Sequence, residues 1–300
     1  MLRILSAPEP LAVEQLVIAI YGQPGIGKTT LAFTAESPLL LDFDRGAYRA
    51  VGRKDTVQIE SWPDVTNITE EDLAPYQTVI VDTAGRALDV LTADIIKRDV
   101  KMGKGGTLTL QGYGRLKAEF SAWLKLLRSF GKDVVLIAHA TEQKNGDETV
   151  TRLDVQGGSK DEIYKSADVM GWLYVYAGQR SLNFNPSDTS YGKNPGSLPM
   201  FTVKPTDSDL MARIIHDTKQ AINAKSESVH AEFERVEALK AELSGLNSMD
   251  DFQHMTDSMR EGNAASKDKN LLAEEAKKRG FGINKAGKVF VLPATSGAAA

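Results

Sequence analysis

Apolar runs alternate with segments of helical period over the first two thirds of the chain. Residues 16–21 (LVIAIY), 38–43 (PLLLDF), 77–82 (QTVIVD) and 133–139 (DVVLIAH) are dominated by apolar side chains, as strands buried on both faces require. Residues 56–60 (TVQIE) read as a shorter strand. Helical patterns are expected at 28–36, 84–99 and 113–130. Strands separated by helices predict βαβ units and a mainly parallel sheet. Further strands at 168–177, 180–184 and 200–204 predict a meander on one edge, among loops marked by Pro186, Pro195, Pro199 and Pro205.

From residue 217 the composition shifts to Ala, Glu, Lys and Ser. Phe233, Val236, Leu239 and Leu243 fall at helical spacings of 3, 3 and 4. Helices are expected at 217–243, 249–260 and 267–279, then a hairpin over 281–292 turning near Lys285–Gly287. The expected organisation is an extension over 1–13, an α/β core over 14–215, a mostly helical unit with its hairpin over 216–293, and a tail over 294–300.

Composition narrows the chemistry. The 300 residues carry 36 Lys+Arg against 40 Asp+Glu, a net charge of −4, which excludes a uniformly basic nucleic-acid binder. Any such contact must come from a local patch. There is no cysteine, so disulfides, thiolate zinc sites and a Cys nucleophile are excluded. The four histidines show no paired metal-ligand spacing. No apolar window is long enough for a membrane helix, and the N-terminus lacks the apolar region of a signal peptide. The expectation is a cytoplasmic protein without membrane contact.

The most specific motif spans Gly22, Gln23, Pro24, Gly25, Ile26, Gly27, Lys28 and Thr29, with Thr30 following. It is G-x-x-x-x-G-K-[ST], the phosphate-binding P-loop pattern, placed between a buried strand and a helix. Glycines let backbone N–H groups turn toward a phosphate, and the next helix's first N–H groups add to the anion site. Lys28 supplies charge to the β/γ-phosphates, and the Thr29 hydroxyl suits Mg²⁺, which prefers hard oxygen ligands. Asp82 ends the run Val79-Ile80-Val81. In a parallel sheet it shares an edge with the P-loop, where an acid can hold Mg²⁺ through water. The expected cofactors are ATP and Mg²⁺, the metal resting on Thr29 and Asp82.

These strands and motifs resemble the RecA-like P-loop ATPases over residues 14–205, and within them short phage nucleotide-binding proteins, core-only recombinase relatives associated with ATP-dependent single-strand annealing. The resemblance implies a RecA-like core, ATP hydrolysis and single-stranded DNA as partner. It also implies a homo-oligomeric ring or filament, a phage origin with work in the host cytoplasm, and a single-stranded-DNA-binding protein as a further partner. In such proteins an acid, usually Glu, follows the strand after the P-loop helix and polarises the attacking water. Asp44 in Leu41-Asp42-Phe43-Asp44 matches it, with Asp42 the alternative. His139 matches a polar residue that senses the γ-phosphate. Lys28, Asp44, Asp82 and His139 are thus the catalytic candidates. Lys193-Asn194-Pro195-Gly196 resembles an element that reaches the neighbouring subunit's ATP through Lys193, although Pro195 stands where a second base is usual.

The resemblance also places two DNA-facing loops at about 99–114 and 140–160. Residues 97–117 hold six basic residues against one acidic, a net of +5, with five glycines suited to a mobile loop. Lys101, Lys104, Arg115 and Lys117 are candidate phosphate contacts, and Tyr113 a candidate stacking side chain. The second loop has mixed charge, and its Gln156-Gly157-Gly158 resembles the Gly-Gly ending the corresponding recombinase loop. Two other readings stand beside the annealing protein. One is a helicase-like or loader motor. The other is a nucleotide-dependent switch or partner-binding protein without DNA-stimulated activity.

Overall fold

The structure is a computed structural model, described here for residues 9, 11–145, 148–154 and 160–293. It divides into two compact units. One runs from Ala12 to Ala224; the other runs from Lys225 onward and includes Leu11. The division falls inside one continuous helix, beyond the boundary expected at 215/216.

In the first unit the elements are β1 (Val17–Gly22), α1 (Lys28–Ala32), β2 (Pro38–Asp42), β3 (Thr56–Gln58), α2 (Trp62–Thr66), α3 (Glu70–Leu73), β4 (Thr78–Asp82) and α4 (Ala84–Arg98). There follow β5 (Gly103–Lys104), β6 (Thr107–Leu108), α5 (Leu110–Ser129), β7 (Asp133–Asn145), β8 (Glu148–Leu153) and α6 (Lys160–Ser166). The unit closes with β9 (Val169–Tyr176), β10 (Gln179–Asn183), β11 (Phe201–Val203) and the start of α7 (Leu210–Ser244).

The main sheet has the order β11-β10-β9-β1-β7-β4-β2-β3, with β8 paired to β7. Its centre, β9-β1-β7-β4-β2-β3, is parallel; β10 and β11 add antiparallel at one edge. This is a RecA-like P-loop core, a mainly parallel sheet flanked by helices. Alternate residues of β1 explain the two layers. Val17, Ala19 and Tyr21 pack toward α4 and α5, against Leu91, Ile95, Phe120 and Trp123. Ile18 and Ile20 pack toward α1 and the start of α7, against Leu31, Met211 and Ile214. Because both faces are covered, the strands read as unbroken apolar runs.

The second unit holds the rest of α7, then α8 (Met249–Glu261), α9 (Ser266–Lys278), β12 (Phe281–Ile283) and β13 (Val289–Val291). Its own small core gathers Leu243, Phe252, Met259, Leu272 and Ala276. Asn284 Oδ1 accepts from Ala286 N and Lys288 N at 2.9 and 3.0 Å, shaping the expected hairpin turn.

Several boundaries differ from the expectations. The helix expected from 217 starts at Leu210, because Leu210, Met211 and Ile214 cover the sheet. The helix expected over 28–36 ends at Ala32, ahead of Ser37 at φ 39° and Pro38. The helix expected from 113 starts at Leu110, where Thr109 Oγ1 caps Gly112 N at 3.2 Å. The strand expected to close at His139 continues to Asn145 through its pairing with β8. The segment read as a mobile loop contains the hairpin β5–β6. The short α2 and α3 stand where no helix is expected, although Ser61/Asp64 and Thr69/Asp72 form capping boxes visible as S-x-x-D and T-x-x-D. No helix among the described residues is long and apolar enough to cross a membrane.

Candidate active site

The ends of β1, β2 and β4 share one edge of the sheet with His139 of β7, and the candidate chemistry collects there. The loop from Gly22 to Gly27 leaves β1 and feeds α1 directly at Lys28. Gly27 has φ 96° and ψ 27°, a left-handed conformation that favours glycine. At Gly22 a Cβ would stand 2.3 Å from the Leu173 carbonyl oxygen of the neighbouring β9, so only glycine fits. Since α1 has only five residues, the loop amides form the main anion cradle.

Lys28 is buried, 5% exposed, and its Nζ donates to the Gly22 and Gln23 carbonyls at 2.9 Å each. Burial pulls its pKa down to about 8, and the charges of Asp82 and Asp44 act against that fall. The Thr29 hydroxyl donates to Asp82 Oδ2 at 2.5 Å. Burial raises Asp82 to about 6; the Thr29 hydrogen bond opposes the rise, and the negative charges of Asp44 and Asp42 add to it. Among the described residues no three His, Asp or Glu side chains form a metal cage. Thr29 and Asp82 instead juxtapose two hard oxygens beside the cradle, which fits Mg²⁺ completing its shell with phosphate oxygens and water.

The two carboxylates of β2 and its following loop separate by environment. Asp42 is 1% exposed, and its oxygens accept from Gly46 N and Ala47 N at 3.0 Å each. It shapes the loop. Asp44 Oδ1 accepts from Gly46 N at 2.9 Å, and its other oxygen lies 3.7 Å from Arg49. Burial and the neighbouring Asp42 raise its pKa. Asp44, not Asp42, lines the cavity of about 420 Å³ beside the P-loop, together with Lys28, Thr29, Asp82, Arg49 and His139.

His139 pairs in register with Gly22 across β1 and β7. Its Nδ1 is buried and has no hydrogen-bond partner among the described residues. Burial and the nearby Lys28 lower its pKa, favouring a neutral ring with one donor and one acceptor nitrogen. Asp44 and His139 also line an adjoining cavity of about 840 Å³ that reaches Trp62 and Arg86.

Other expected residues lie elsewhere. Lys193 Nζ donates to the carbonyls of Tyr164 and Ala167, the latter at 2.7 Å. Asn194 bonds Asn185 and Leu198. Both fasten their own unit, so the expected reach of Lys193 to a neighbouring ATP has no support in this geometry; a loop Lys-Asn pair in sequence does not reveal carbonyls nearly thirty residues away in the chain. Lys101 and Lys104 are exposed around β5. Arg115 sits in α5, paired with Glu119 at 2.7 Å, and Arg98 shares Glu119 at 2.6 Å. Lys117 is half-buried on the same helix. Tyr113 packs against the core and lines a cavity of about 540 Å³ with Lys97. Gln156-Gly157-Gly158 lies outside the described residues. Sequence reasoning missed Arg49. Arg49 lies seven residues beyond β2, and only packing brings it to the cavity.

A family model described as an AAA domain matches residues 14–195, and the chain belongs to that family. The fold and site define a P-loop NTPase domain. The chain is 32% identical over 145 residues to the SPbeta prophage-derived uncharacterized protein YorG of Bacillus subtilis (strain 168). That match covers 45% of this chain and 44% of YorG, so the chain spans less than half the length of this relative. The KaiC-like protein PH0186 of Pyrococcus horikoshii OT3 aligns over 65% of this chain and 88% of its own, at 11% identity and a TM-score of 0.37.

The shifted groups set a pH dependence. Below about pH 6 Asp82 takes up a proton that competes with Mg²⁺, and above about pH 8 Lys28 loses its charge. The kcat/KM for ATP, which reports the free enzyme, is therefore expected to peak between these values. Stability runs the other way, because both shifts penalise the charged form in the fold. Asp82 favours folding increasingly as pH falls from about 6 toward 3.8, and Lys28 as pH rises from about 8 toward 10.5. Steady-state kinetics and thermal melts across this range check both slopes; a flat kcat/KM profile contradicts the assignment.

Proposed function

We propose that the chain is an ATP-hydrolysing protein that binds single-stranded DNA and promotes recombination by strand annealing, works as a homo-oligomer and is of phage origin. The observation that carries the ATPase reading is the convergence of Lys28, Thr29, Asp82, Asp44 and His139 on one cavity. The P-loop amides and Lys28 hold the phosphates, and Thr29 and Asp82 hold Mg²⁺, which neutralises charge on the phosphate oxygens when bound. Asp44 orients and deprotonates water, and His139 hydrogen-bonds at the γ-phosphate end. Positioning and electrostatics carry phosphoryl transfer, so these side chains suffice without a covalent intermediate.

The DNA reading draws support from the exposed Lys101 and Lys104 and from Lys97 and Tyr113 beside one cavity; similarity to a prophage-derived protein supports the phage origin. ATP turnover measured with and without single-stranded DNA tests it. Stimulation without duplex unwinding favours annealing, unwinding favours a motor, and no response favours a switch protein.

A salt titration isolates the phosphate contacts. Lys101→Ala with Lys104→Ala is expected to flatten the slope of log K against log salt by about 1.4, at about 0.7 per contact on a single strand. Adding Arg115→Ala changes the slope little, because Glu119 already pairs with that guanidinium. Fluorescence anisotropy reads both; an unchanged slope in the double variant removes the hairpin from the interface.

A further inference from the structure

The guanidinium of Arg180 has no role in the site so far described. A Cβ on Gly27 would stand 2.5 Å from an Arg180 terminal nitrogen, so this side chain lies against the phosphate loop. No acidic side chain among the described residues pairs with it, and it makes no side-chain hydrogen bond among them. It is half-buried. An unpaired cation held beside an anion cradle calls for a ligand.

Topology says which end of the ligand. In the sheet order, β4 and β2, which supply Asp82 and lead to Asp44, lie on one side of β1; β9 and β10 lie on the other. A nucleotide whose γ-phosphate sits by Asp82, Asp44 and His139 therefore runs its nucleoside toward β9 and β10. Arg180 is absent from the walls of the phosphate cavity. It pairs with Val175, as Leu182 pairs with Leu173, so both pairs point to the sheet face that α1 covers. Val175, the register partner of Arg180, is 61% exposed and offers apolar surface on the same face.

We propose that Arg180 and Val175 form the nucleoside seat of the same subunit, with the planar guanidinium stacked on the base of the bound nucleotide. The inference rests on the nucleotide-binding reading above. Guanidinium stacking is a planar, cation–π contact that a lysine does not reproduce, and it accepts any base. It also accounts for glycine at position 27 by a second route, since a Cβ would displace Arg180.

Calorimetric titration of the full chain in Mg²⁺ with ATP, ADP and inorganic tripolyphosphate tests it. Arg180→Ala is expected to weaken ATP and ADP alike, by about tenfold, and to leave tripolyphosphate unchanged, which also certifies that the phosphate loop is intact. Arg180→Lys should behave as the Ala variant does. Equal losses for all three ligands, or recovery with Lys, overturn the proposal by placing the guanidinium on phosphate. Unchanged ATP affinity in Arg180→Ala overturns it as well, leaving Arg180 a packing residue. Lys28→Ala, which should lose ATP and tripolyphosphate together, separates the two readings. If the unaltered chain binds neither ligand, nucleotide binding itself fails and the inference falls with it.

Discussion

Lys28→Ala lowers ATP turnover by about a hundredfold or more and leaves the protein folded. The ammonium is held beside the phosphate cavity by the Gly22 and Gln23 carbonyls, 2.9 Å away. With ATP bound it stabilises the charge developing on the transferred phosphoryl group, and removing one such preorganised donor costs about 10²–10³ in rate. The effect on stability is smaller and has two parts. Alanine leaves two carbonyls without this donor, at about 1 kcal/mol each. It also removes a buried charge whose pKa falls to about 8, a form that folding penalises fully below that pH. The parts oppose each other at neutral pH, so the melting temperature changes little. Turnover and thermal melts on the purified variant measure both; near-normal turnover sinks the P-loop assignment.

Asp44→Asn separates the two neighbouring acids. The amide cannot take a proton from water, so kcat should fall by about 10²–10⁴, the range for a positioned general base, while ATP affinity changes far less. Asp42→Asn should do the reverse. Its carboxylate accepts from two backbone N–H groups, and an amide presents a donor to one of them. An unsatisfied buried group costs about 1–3 kcal/mol, so this variant melts earlier. A collapse of kcat in Asp42→Asn with normal kcat in Asp44→Asn would reverse the assignment.

The contrast between these two acids also marks how far sequence reading reaches. Leu41-Asp42-Phe43-Asp44 places two carboxylates at a strand end. Nothing local says that one caps Gly46 and Ala47 while the other faces the cavity, because that depends on how the following loop folds back. The hairpin segment 97–117 is similar. Its charge was countable, but the neutralisation of Arg98 and Arg115 by Glu119 comes from helix packing and spacing just beyond the counted window.

The amino-acid sequence by itself determined the P-loop, the buried parallel strands and the C-terminal hairpin. These rest on short spacings: one glycine-lysine-threonine pattern, unbroken apolar runs, and polar turn residues between β-forming ones. Only the tertiary structure decided that Lys28 is buried, that Lys193 is tied to Tyr164 and Ala167, that β7 extends past His139, and that Arg180 reaches Gly27. The physical reason is range. Strand and turn signals act over a few residues, whereas a charged side chain's partner is chosen by strands and helices distant in the chain, here Gly27 and Arg180 on opposite sides of β9.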